Sequence, residues 1–267
     1  MASALEPRRP LLALLGGLNA LAWLTLFLWE LSPHARYLDH GKWTELGVGA
    51  WLCRVVPAGA VVVPALLYAL GWVLMIAAMM LPTTLPLLRI FARVTEARPH
   101  RATLLLLVTA GYLLVWLAFG LAAHAVDYGL HGLASGLPWL RFNGWLVGAA
   151  VLAMAGAFQF SRLKYACLDK CRTPFSFVNE HWRGAAARRQ SFRLGLHHGL
   201  FCVGCCWAIM LLMFVVGTGS VGWMLALGAI MAVEKNVHWG RRLSAPLGFA
   251  LLGWASLIFV EQGVSRF

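Results

Sequence analysis

Seven apolar runs constrain this chain more than any other feature, at 10–31, 58–81, 102–123, 143–162, 194–216, 220–237 and 245–262. Coiled as α-helix at about 1.5 Å per residue, a run of roughly 20 residues crosses the hydrocarbon core of a bilayer. Backbone amides find no water there, so runs of this length are satisfied only as helices. The predicted fold class is therefore all-α, a polytopic transmembrane helix bundle with about seven spanning helices. Residues 1–267 read as a single integral membrane domain. Composition agrees: 61% of the residues are hydrophobic and 12% charged, about half the charged share of a soluble domain. Thirteen tryptophans suit a chain with two lipid–water boundaries, where indole rings prefer to sit.

Orientation follows from the basic residues. With the N-terminus in the cytoplasm, 17 of the 22 Lys and Arg fall on the inner side and five on the outer. Arg89, Arg93, Arg98 and Arg101 and the eight basic residues from Arg162 to Arg193 carry most of that bias, which is a positive-inside pattern. The net charge of +12 is thus topological, and nucleic acid is not an expected partner. The run at 10–31 has no small-x-small cleavage site after it and reads as a retained first helix. Pro82 and Pro86 end or kink the second helix, whose apolar pattern continues towards Leu88. Two loops are long enough for structure of their own. The outer one, 32–57, holds His34, Asp39, His40, Glu45, Trp43 and Trp51; the inner one, 162–192, begins as a continuation of the fourth helix and stops near Pro174. Five of the six cysteines fall on the reducing cytoplasmic side, which favours free thiols or metal ligands over disulfides. Cys53 is alone outside.

Chemistry concentrates in the fifth run, where His197, His198, Cys202, Cys205 and Cys206 follow one another. Counted from His198, the cysteines stand at i+4, i+7 and i+8, so the imidazole and three thiols share one helical face. Met210 and Met213 extend nearly the same stripe. Small residues at such positions also serve close helix packing. A His-His pair at membrane depth argues for more, because polar groups there are costly.

Other soft ligands lie towards the same end. Cys167 and Cys171 stand at i and i+4 at the cytoplasmic end of the fourth helix, beside Lys164, Lys170 and Arg172, which would favour thiolates. Met75, Met79 and Met80 contribute thioethers from the second helix, and Glu234 stands near the same inner boundary. Thiolate with thioether selects copper(I) or a related soft ion; cysteine with histidine alone would suit zinc. A weaker outer site is spelled by His124, Asp127 and His131, at i, i+3 and i+7 if the third helix continues. Imidazole and carboxylate suit Zn(II), Cu(II) or Fe(II). Together the two sites would form a gradient from nitrogen and oxygen donors outside to sulfur inside.

Ala77-Ala78-Met79-Met80-Leu81-Pro82, the segment from Lys164 to Cys171 ending in Cys-Arg-x-Pro, His197 to Trp207, and Glu234-Lys235 resemble a known bacterial family. That family is the predicted metal-binding integral membrane proteins, domain-of-unknown-function family 2182, and the resemblance covers roughly residues 70–255. It implies the cytoplasmic (inner) membrane of a bacterium and metal binding, without separating a transporter from an enzyme. The N-terminal helix and the outer histidines lie outside its motifs.

The leading expectation is a non-enzymatic membrane protein that binds a soft metal ion, copper before zinc, and moves or delivers it. Its partners would be membrane lipid, the ion and a metal-donor or metal-acceptor protein. A second class is a metal-dependent membrane redox enzyme or enzyme subunit working at His124, Asp127 and His131. A third is a structural or assembly subunit without metal. No Walker-type loop, haem-attachment motif or Ser-His-Asp order is present, which argues against an energy-coupled pump.

Overall fold

The structure is a computed structural model that describes residues 8–31, 62–137, 139, 143–216 and 220–264. Ten α-helices stand among them: α1 (Arg8–Glu30), α2 (Val62–Met79), α3 (Leu85–Val94), α4 (Arg101–Gly136), α5 (Trp145–Phe158), α6 (Arg162–Arg172), α7 (Pro174–His181), α8 (Ala187–Val216), α9 (Val221–Asn236) and α10 (Ser244–Val264). The predicted loop at 32–57, with its histidines, acids and tryptophans and Cys53, lies outside the described residues.

The fold is all-α among the described residues. Three helices are long and apolar enough to cross a membrane: Arg101–Leu130, Ala187–Val216 and Gly240–Gln262. The number is five if each of two bent pairs counts as one span. The remaining two predicted spans are α1, with 23 residues, and α9, with 16.

Each bend has a local cause. Pro82 has no amide hydrogen, so the ladder of α2 cannot continue through it. The amides of Met80 and Leu81 both reach the Ile76 carbonyl, at 2.8 and 3.1 Å. The Thr83 and Thr84 hydroxyls then donate back to the carbonyls of Met80 and Leu81, at 2.7 and 2.8 Å. A short 3-10 turn, Pro82–Thr84, leads into α3 at 46°. The second bend corrects the expectation that the fourth helix runs on towards Pro174. Ser161, in extended conformation, accepts from the Lys164 amide at 3.0 Å and starts a new helix, and α5 and α6 meet at 64°. An N-cap serine satisfies an otherwise orphaned amide.

The hub is α8. Of its most apolar stretch 61% is buried, against 33% and 22% for the other two straight spans. It packs on α4 most extensively, and also on α5, α6, α7 and α9. Glycine makes the α4 contact close: a Cβ on Gly195 would stand 2.0 Å from the Val108 carbonyl oxygen, and one on Gly111 2.4 Å from that of Phe192. Small residues let membrane helices approach backbone to backbone. Large side chains such as Leu106, Phe249 and Leu257 point outwards and are exposed, as suits surfaces solvated by lipid tails. Asn19 of α1 donates to the carbonyls of Ala77 and Ala78 at 3.2 and 2.9 Å and so ties α1 to the end of α2.

Candidate metal centre

Five elements bring sulfur to one place. Cys202, Cys205 and Cys206 face inwards from α8, each about 1% exposed. Cys167 and Cys171 come from α6, Met75 and Met79 from α2, Met80 from the turn that follows α2, and Met231 from α9; all join the same buried cluster. The five described cysteines are free thiols. Gly204 makes the α6 approach feasible, since a Cβ there would stand 2.6 Å from the Cys167 sulfur. Cys171 interacts with both Cys202 and Cys205. Helices two, four, five and six of the sequence reading therefore meet.

The centre of the cluster is a lysine. Lys235 Nζ lies 2.9 Å from Cys202 Sγ, 3.7 Å from Cys206 Sγ and 3.6 Å from Met80 Sδ, with the side chain 6% exposed. Tyr112 of α4 reaches the same Cys202 sulfur with its hydroxyl at 3.1 Å. The thiols of Cys205 and Cys206 donate to the Cys202 carbonyl at 3.1 and 2.9 Å. The Cys202 sulfur is thus the acceptor of the group, and an ammonium is aimed at it. Among the described residues no group of three or more His, Cys, Asp or Glu stands as a ready-made cage for a metal ion. The converging donors are thiols and thioethers, a set that suits a soft ion.

The basic residues expected to act on the thiols are engaged elsewhere. Lys164 is fully buried and pairs with Glu234 Oε1 at 2.7 Å, while also bonding Gln159 Oε1. Ser244 donates to the same Glu234 oxygen at 2.6 Å. Arg172 donates to the carbonyls of Glu234 and His238, closing the C-terminus of α9, where a cation is favoured. Lys170 bonds Glu180 at 3.0 Å in the open, and that ammonium holds the Glu180 carboxyl below its usual range. Glu234 therefore faces a lysine and a serine, and its neighbour Lys235 faces the sulfurs.

Of the two histidines on α8, His198 is buried against Tyr112, ring centroids 5.8 Å apart, with Nδ1 lacking a hydrogen-bond partner. His197 turns away to His181. The outer group belongs to a separate part of the molecule. His124 and Asp127 lie on α4 close enough to interact, roughly 18 Å along that helix from Tyr112 at about 1.5 Å per residue. His131 shares their helix, as expected from its continuation to Gly136.

Beyond the charge bias, the sequence marks Lys235 only as half of the Glu234-Lys235 piece of the resemblance, without a place among the sulfurs, and does not mark Tyr112 at all. A signal for Lys235 existed: it stands four residues after Met231, which is buried in the same cluster, so the helical period places the ammonium on the inward face.

A family model described as PpoB2, copper chaperone, matches residues 69–258. The chain belongs to this family. The match spans α2 through most of α10 and contains the whole sulfur cluster, over nearly the stretch where the resemblance to metal-binding membrane proteins was read. No curated protein and no solved structure matches the chain.

Proposed function

We propose that this copper-chaperone family member binds copper(I) as cargo among the sulfurs of α8 and its neighbours and hands it to an acceptor protein. The protein sits in the bacterial cytoplasmic membrane, with seven spans and the N-terminus and basic end inside. Cys202, Cys205, Cys206 and His198 form the core of the binding face. Cys167 and Cys171 act as acceptors towards the basic end, with Met79 and Met80 as thioether donors.

The observation that carries this is the ammonium of Lys235 held among the sulfurs. A buried charge needs a counter-charge, and thiolate at Cys202 supplies one. When copper(I) arrives, Cys206 is the second thiol within reach of Lys235 and loses its proton. One monovalent cation, two thiolates and one ammonium then leave the pocket neutral, as it was before. A divalent ion on the same two thiolates would leave one uncompensated positive charge. Lys235 thus favours a monovalent soft ion over zinc, and Tyr112 steadies the Cys202 sulfur throughout.

Elemental analysis tests the proposal, on protein purified in detergent under reducing conditions and exposed to copper(I). Near-stoichiometric copper is expected in the wild type and its loss in Cys202→Ser/Cys205→Ser/Cys206→Ser. Near-stoichiometric copper retained by that variant would move the site away from the three thiols of α8. No copper in either protein would leave the thiols a packing role.

A further inference from the structure

We infer that His181 and His197 form a second, two-imidazole metal site, the port at which copper(I) enters or leaves the sulfur cluster at the basic end of the bundle. It rests on the proposal that the cluster binds copper(I). The two rings come from different elements, α7 and the first half of α8, and their centroids lie 4.9 Å apart at 73°. His181 Nδ1 is 3.0 Å from the Phe177 carbonyl oxygen. That carbonyl can only accept, so Nδ1 carries the hydrogen and Nε2 keeps its lone pair. Fixing the tautomer through the far nitrogen is how metal-binding histidines are held. Both residues are half-buried, open to a carrier and still shielded on one side.

The pair also leads somewhere. The Phe177 ring stacks on His181 at 4.3 Å and meets His198 edge-on at 5.5 Å. His198 is 4% exposed, and its Nδ1 has no hydrogen-bond partner. A buried polar atom without a partner costs stability, and a passing ion gives it a use. His198 and Tyr112 line a small cleft between α3, α4 and α8, and the Tyr112 hydroxyl touches Cys202. His198 is also one helical turn from Cys202 on the same face. Imidazoles at the mouth, an imidazole inside and a thiol beyond thus succeed one another. The ion moves along them by ligand exchange, gaining each donor before it releases the last, with no change of oxidation state.

The test follows copper(I) transfer from its bicinchoninate complex to the full-length protein by the loss of the complex's absorbance. His181→Gln/His197→Gln, which keeps polar groups at both positions, is compared with wild type after matching their thermal unfolding. A loading rate at least tenfold slower, with the same final stoichiometry, is expected. An unchanged rate in a wild type that loads fully would overturn the port alone. A lower final stoichiometry would make the histidines part of the storage site and also overturn it. A wild type that takes no copper would overturn both the port and the proposal beneath it. As a direct check, silver(I) added to Cys202→Ser/Cys205→Ser/Cys206→Ser is expected to shift the ¹⁵N resonances of His181 and His197; no shift would contradict a site there.

Discussion

Two buried lysines meet the end of α9, and they are satisfied in different ways. Lys164 faces a carboxylate, with Ser244 and Gln159 completing the group. Lys235 faces sulfur, with Cys202, Cys206 and Met80 around its ammonium. Glu234 and Lys235 are consecutive, so about 100° of helical rotation sends one towards α6 and α10 and the other towards α2 and α8. The carboxylate pair is closed: both partners are charged, buried and bonded to protein. The thiol pair is open in the chemical sense, because a thiolate facing that ammonium is also the type of donor a soft metal ion takes. Adjacent residues thus divide the work, with Glu234 fixing the helix end and Lys235 setting the charge of the sulfur pocket.

The comparison breaks most visibly at Glu234. Glu234→Ala leaves Lys164 buried without its counter-charge, and removing one partner of such a pair costs about 3–5 kcal/mol. Chemical unfolding in detergent should show a loss of that size. Lys164→Met/Glu234→Ala should recover most of it, because replacing both partners by apolar groups is nearly neutral. Failure of the double variant to recover would mean that the carboxylate acts through something other than Lys164.

Lys235→Met should behave differently. Neutral thiols pack as small apolar groups, so the fold should survive. Copper(I) affinity should fall about tenfold to a hundredfold, or about 1.4–2.8 kcal/mol, in competition with a chelator of known affinity. Zinc affinity should rise at the same time. A tighter copper site with zinc unchanged would contradict the charge balance. Gly204→Ala is a smaller change: its Cβ meets the Cys167 sulfur at 2.6 Å, and the thiol must shift. A cost of about 1 kcal/mol is expected for such overpacking, together with a slower release of copper to an acceptor.

The exposed pair of Lys170 and Glu180 supplies the lower bound. The ammonium holds the Glu180 carboxyl below its usual range. Its contribution is therefore present above the unfolded-state pKa of that carboxyl and is lost as pH falls through the folded value. Exposed pairs contribute little, so Glu180→Gln should leave both unfolding and copper loading within error of wild type.

That one imidazole and three thiols share a buried face could be read from the chain alone, for a physical reason. His198, Cys202, Cys205 and Cys206 lie on one helix, and spacing along a helix determines which residues share a face. The bend after α2 was legible too, because Pro82 removes a donor whatever surrounds it. What spacing could not reveal was which helices meet. That depends on Gly111 and Gly195 letting α4 approach α8, and on Gly204 admitting Cys167. Lys235 was counted among the basic residues that orient the chain, and its inward direction was not drawn from the position of Met231. Lys164, Lys170 and Arg172 were expected to act on the thiols because they neighbour them in sequence. Carboxylates and helix-end carbonyls hold them instead, being stronger acceptors than a thiol.

X-ray absorption at the copper edge of the copper(I)-loaded wild-type protein bears most directly on the central claim, that the cargo sits among the sulfurs around Lys235. A first shell dominated by sulfur, and abolished in Cys202→Ser/Cys205→Ser/Cys206→Ser, is the predicted result. A shell made only of nitrogen and oxygen, unchanged in that variant, would contradict it.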